Sequence, residues 1–117
     1  SSAGFTLPNG AIRAADVAWI TNDRWEKIPV NDKERFAHIC PDFIIEVRSK
    51  TDSLKQVKEK MHEWITNGCR LAWLIDLENK TTYIYQPNAE PVKQDFTKPL
   101  GGADVLPGFI LKLDEIA

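Results

Sequence analysis

Cysteine and histidine are scarce in this chain, with two of each: Cys40, Cys69, His38 and His62. Two cysteines make no disulfide framework, and reduced thiols in a cytoplasmic protein are the expectation. No CxxC or HxxxH pair occurs, which argues against a zinc site and leaves His38 and Cys40 as loop-edge residues. Long apolar runs are missing; none approaches the roughly 20 residues of a membrane span. The stretch SSAGFTLPNG has neither a basic start nor an apolar segment, so no signal peptide is visible. An excess of positive charge is absent too. A net charge of −2 argues against tight nonspecific nucleic-acid binding through a broadly basic surface. It leaves room for an enzyme that meets DNA through a local basic patch and metal ions.

What is present suits one domain with one core: 117 residues, 43% hydrophobic and 27% charged. After a turn at Pro8-Asn9-Gly10, the residues from Ala14 to Ile20 read as a strand buried on both faces. Residues 21–40 read as a long polar connection with one helical turn near Asp32 to Phe36. A strand over 42–48 follows. Then Leu54, Val57, Met61, Trp64 and Ile65 recur on one helical stripe, with Thr51, Asp52 or Ser53 as N-cap and Gly68 just past the end. Leu71 to Leu77 has the pattern of a central buried strand. Glu78-Asn79-Lys80 is a tight turn into a hairpin strand at Thr81 to Tyr85. Residues 86–104 read as loop, and Phe109 to Leu113 as a last short strand or packed tail. The tryptophans Trp19, Trp64 and Trp73 read as core or core-edge, with Trp25 an exception in the polar connection.

This order predicts an α/β fold with a mixed sheet around a strand-helix-strand core. One helix covers only one sheet face. The other face needs a cover, which an N-terminal part absent from this chain would supply.

Two carboxylates sit inside apolar runs, Asp16 in the first strand and Glu46 in PDFIIEVRSK. Burying a charge costs several kcal/mol unless it is paired. Either each acid ends its strand at the surface, or the two hold a cation. Magnesium takes one or two carboxylates plus waters and phosphate oxygens, and two strands of one sheet can bring two acids together. Asp42 shares a face with Glu46, but four residues at about 3.3 Å each put it roughly 13 Å away, too far to share one small ion. On the helix, Lys58 and Lys60 flank the apolar stripe at about 60° and 100° from Met61. Either can bring an amine to a carboxylate, and geometry alone does not choose. Arg48 can contact phosphate or pair with Asp52. Ser49 and Asp52 read as helix caps.

The blocks GFTLPNGAIRAADVAWI, PDFIIEVRSKTDSLKQVKEKMHEWITNGCRLAWLID and VLPGFIL, in that order, resemble the Uma-two family within the PD-(D/E)XK nuclease superfamily. The resemblance spans most of the chain. It implies a restriction endonuclease-like fold, a Mg²⁺ or Mn²⁺ site held by Asp16 and Glu46, and hydrolysis of DNA. Ala15 stands where the family usually has proline, and Arg48 where many superfamily members have lysine. In this family the lysine moves to the helix, which points to Lys60 as the third catalytic residue beside Asp16 and Glu46. Family members also carry an N-terminal helical segment, often with a further glutamate, that is not in this chain, so an incomplete site is expected. DNA is the implied partner, with a homodimer as a further expectation and no membrane. Two other readings stay open: a non-catalytic nucleic-acid or protein interaction module on the same fold, and a thiol enzyme using Cys40 or Cys69.

Overall fold

The turn at Pro8-Asn9-Gly10 folds the N-terminal stretch into a hairpin in the computed structural model, which describes residues 3–116. Gly10 takes φ +87°, a left-handed conformation that favours glycine. Strand β1 (Ala3–Thr6) pairs antiparallel with β2 (Ile12–Ala15). The chain then bends at Asp16 and continues as β3 (Val17–Trp19). The strand expected over 14–20 is thus two strands in two sheets. Its expected burial also fails. Val17 is 48% exposed and Trp19 37%, because β3 is the edge strand of the main sheet. Apolar composition there reflects a half-covered edge rather than a central strand.

The connection holds two short helices, α1 (Asn22–Glu26) and α2 (Val30–Lys33), where the sequence predicts one turn near 32–36. Thr21 Oγ1 caps α1 by accepting from the Arg24 amide, and Pro29 opens α2. Trp25 packs, half-buried, against the core. His38 is exposed and bonds Asp32, while Cys40 is buried rather than at a loop edge.

The main sheet continues with β4 (Phe43–Arg48), β5 (Leu71–Asp76) and β6 (Thr81–Tyr85). Between β4 and β5 runs α3 (Leu54–Thr66), and the two strands it joins are parallel. Ser53 is its N-cap, accepting from the Gln56 amide, and Gly68 follows its end at φ +119°. The region expected as loop contains β7 (Val92–Asp95) and β8 (Leu100–Gly101), the latter paired with β9 (Ile110–Leu111). Strand β7 pairs with β6 through its backbone and is largely exposed, so its side chains carry no apolar alternation to read.

The five-stranded sheet has the order β3-β4-β5-β6-β7. Ile44, Ala72 and Leu74 face α3, whose Met61 and Trp64 are fully buried against them. Phe43, Ile45, Trp73 and Ile75 point the other way and pack on Phe96, Leu100, Val105 and Leu113. The C-terminal segment of this chain therefore supplies the cover expected from an N-terminal part. Burial on both faces explains the unbroken apolar runs of β4 and β5. Each fully buried large side chain contributes roughly 1.5–3 kcal/mol.

Candidate active site

Glu46 sits in β4 on the α3 side and is only 6% exposed. Its charge is met from α3. Lys60 Nζ lies 2.8 Å from Glu46 Oε2, and Trp64 Nε1 donates to the same oxygen at 3.2 Å. Both partners use Oε2. Glu46 Oε1 has no hydrogen-bond partner among the described residues.

Asp16 approaches β4 from the bend between β2 and β3. The register pairs Val17 with Ile45, so a straight continuation would set Asp16 opposite Glu46 and Ala15 opposite Val47. The bend breaks that ladder, and Asp16 Oδ2 accepts from the Val47 amide at 2.7 Å instead. The side chain replaces a lost strand partner, which satisfies a donor that the edge would otherwise leave unpaired. Asp16 itself stays exposed. Its carboxyl is thus fixed one residue along β4 from Glu46, with its second oxygen open.

The hairpin carrying Asp16 is latched to α3. Asn9 donates from its amide to Asn67 Oδ1 at 3.0 Å and from its side chain to Glu63 Oε2 at 3.1 Å. Arg13 also pairs with Glu63. Lys60 Nζ closes the seam by donating to the Ala14 carbonyl at 3.1 Å. One lysine therefore touches both β4, which bears Glu46, and β2, which leads into the bend at Asp16. Lys58 goes elsewhere, lying 4.4 Å from the centre of the Tyr83 ring.

The remaining candidates are structural. Asp42 lies at the far end of the β4 run. Arg24 meets its Oδ2 at 2.8 Å, Arg70 its Oδ1 at 3.5 Å, and the Thr21 amide donates to Oδ2 at 3.0 Å. Arg48 does not pair with the Asp52 carboxylate. It donates to the Asp52 carbonyl at 3.2 Å and pairs with Asp76 at 3.0 Å, because the parallel register places Asp76 beside it. Asp52 instead accepts from the Ser49 amide and hydroxyl. Burial pushes the Cys40 thiol up to about 11 and the Cys69 thiol up to about 12. Both cysteines are buried, and the upward shift is the opposite of the activation a thiol nucleophile needs.

Trp64 is the site residue that the helical stripe assigns only to the core. A signal was available: of the five stripe residues it alone carries a side-chain N–H, and a buried acid on the packed strand needs a donor.

Asp16 and Glu46 offer oxygen donors only, the donor chemistry of a hard divalent cation rather than of zinc. No group of three or more His, Cys, Asp or Glu side chains suited to a metal occurs among the described residues. Two carboxylates with open oxygens match magnesium, which completes its shell with water and phosphate.

The family model described as "Putative restriction endonuclease" (Uma2) matches residues 1–114. No curated protein matches the chain. Among solved structures, the chain is similar to "a putative nuclease belonging to DUF820" from Anabaena variabilis, with a TM-score of 0.77 and 21% identity. The likeness covers 97% of this chain and 63% of that one, so this chain spans less than two thirds of the other's length. It shows a restriction endonuclease-like fold.

Proposed function

The chain belongs to the Uma2 family, and from that premise we propose that it is a metal-dependent endonuclease hydrolysing DNA phosphodiester bonds. The observation that supports the reading is the contact set around Glu46: Lys60 bonds its carboxylate and the Ala14 carbonyl, and Asp16 accepts from the amide of the next β4 residue, Val47. Asp16 Oδ1 and Glu46 Oε1 would hold Mg²⁺ or Mn²⁺. Such a cation, when bound, polarises a phosphoryl oxygen and lowers the pKa of water.

The protein's own groups supply the rest. Trp64 holds Glu46 in place, so the carboxylate meets a cation without reorganising. Lys60 has three N–H donors. Ala14 and Glu46 take two, and the third is available to a non-bridging phosphate oxygen or the attacking water. The water oxygen bonds to phosphorus as the bond to the leaving sugar oxygen breaks. The water's proton passes to solvent, and the leaving oxygen takes one up.

A plasmid-nicking assay with Mg²⁺ tests the reading. Wild type should nick and Glu46→Gln should not. Equal nicking by both, or none by wild type, would overturn it. The ion pair between Lys60 and Glu46 also fits a non-catalytic interaction module, in which lysine permanently takes the place of a cation. Calorimetric titration with Mg²⁺ separates the two, since only the nuclease reading expects binding that Glu46→Gln abolishes.

A further inference from the structure

A single row of residues crosses the sheet from the candidate site. Glu46 on β4 stands opposite Leu74 on β5, Leu74 opposite Tyr83 on β6, and Tyr83 opposite Lys93 on β7. Directly opposed residues share a face, so this row lies wholly on the α3 side. At about 4.8 Å per strand, it measures roughly 14 Å from Glu46 to Lys93.

Lysines occupy both flanks of α3 above this row. Lys60 leans toward Glu46 on one flank. On the other, Lys58 lies 4.4 Å and Lys93 6.0 Å from the Tyr83 ring centre. Two ammonium groups thus converge on one ring. Neither pairs with a carboxylate among the described residues. The nearest acid on that part of β7, Asp95, is occupied by the Thr97 hydroxyl and amide. Lys55 stands one turn earlier on the Lys58 flank. What sets this pair apart is that both ammonium groups lie at the same ring. Lysine stems alone could account for shielding the ring. Shielding needs only the stems, whereas here both ammonium groups also lie at the ring.

We propose that Lys58 and Lys93, held together over Tyr83, bind the phosphate backbone of the DNA strand whose scissile phosphate lies at Glu46 and Lys60. The proposal rests on the nuclease reading for its substrate and extends it to a second contact. The two contacts lie on opposite flanks of α3, so the strand passes around the helix between them. Glu59, exposed on α3 between Lys58 and Lys60 in sequence, keeps the backbone off the helix's outer surface. The path therefore rounds the N-terminal end of α3, past Lys55.

The test measures binding of a fluorescent 20-base-pair DNA duplex to the full chain across a salt series, without Mg²⁺. Lys58→Gln/Lys93→Gln should bind about tenfold more weakly at low salt. The slope of log affinity against log salt should shrink by about 1.8, two phosphate contacts at about 0.9 each. Lys58→Arg/Lys93→Arg keeps both charges and should restore the slope. Lys27→Gln/Lys112→Gln removes the same net charge outside the row and should leave the slope unchanged. An unchanged slope in a folded Lys58→Gln/Lys93→Gln protein overturns the proposal, as does equal loss in the Lys27 and Lys112 control. If nicking requires Glu46 while the slope ignores Lys58 and Lys93, the second contact fails and the nuclease reading stands. If nicking ignores Glu46 while the slope follows the two lysines, the reverse holds.

Discussion

One buried carboxylate, Asp42, sits just before strand β4 and another, Glu46, near its end, and the two are treated differently. Asp42 is 2% exposed and Glu46 6%, so the desolvation problem is the same. Asp42 receives two arginines and a backbone amide, spread over both oxygens. Glu46 receives one lysine and one indole, both on Oε2. The first acid is saturated with positive partners and has nothing left to offer. The second has an open oxygen, a single movable cation beside it and another acid one residue along the strand edge. Saturation marks a lock that ties α1 and the start of β5 to β4. Incomplete neutralisation leaves Glu46 with an oxygen free for another partner.

The strongest way to break this contrast is to neutralise each acid. Glu46→Gln should lower Mg²⁺-dependent nicking by about 100-fold or more, the scale of removing one group that stabilises the transition state. Its urea midpoint should move little, since the amide oxygen still accepts from Trp64. Asp42→Ala should do the opposite. It leaves two arginines without their shared partner, and breaking a buried pair costs about 3–5 kcal/mol. Arg24 and Arg70 side chains are 40% and 45% exposed and can return to water, so about 3 kcal/mol, the low end, is expected from urea unfolding. Nicking per folded molecule should survive. If Asp42→Ala loses nicking without losing stability, the division of labour along β4 is wrong.

The sequence discloses this contrast unevenly. The periodic stripe of α3 and the unbroken apolar runs of β4 and β5 are strong local signals, and all three elements form where the pattern puts them. Asp16 and Glu46 are legible as candidates because a carboxylate in an apolar run demands an explanation. The bend at Asp16 is not legible, since Val17 and Trp19 look buried until β3 is known to be an edge. Strand β7 is silent because its pairing is carried by backbone groups. The choice between Lys58 and Lys60 turns on which flank of α3 faces β4. The helical angles leave that open, and it depends on how the helix rotates over the sheet. Family resemblance favours Lys60, and Lys60, not Lys58, lies beside Glu46.

Trp64 sharpens the comparison from the helix side. It is fully buried, packs edge-on against Phe5 and donates to Glu46. Trp64→Phe keeps an aromatic ring and removes the donor. A lost hydrogen bond to a charged group costs about 1.5–3 kcal/mol, and about 2 kcal/mol is expected by urea unfolding. The same change frees the Glu46 carboxylate to move. Nicking should fall more at limiting than at saturating Mg²⁺, whereas a purely structural tryptophan would lower both alike.

The smallest effect tests a third acid that mixes the two behaviours. Asp76 lies at the same end of the sheet as Glu46, yet it is saturated as Asp42 is. Arg48 pairs with its Oδ1 at 3.0 Å and the Asn79 side chain donates to Oδ2 at 2.7 Å. Burial pushes its pKa up, but the hydrogen bonds from Asn79 and Arg48 outweigh burial and hold it below the ordinary carboxylate value. The unfolded chain takes up this proton near pH 3.9, while the folded chain resists until lower pH. Unfolding in acid therefore binds a proton, and the stability Asp76 contributes is fully present above pH 5 and lost as pH falls through its folded value. Arg48→Met removes one of the partners that hold the carboxyl down. Thermal melts between pH 3 and pH 6 should then show a shallower decline for the variant than for wild type. A parallel decline would mean that Asp76 does not contribute to the acid limb, and that saturation at this end of the sheet has no electrostatic consequence.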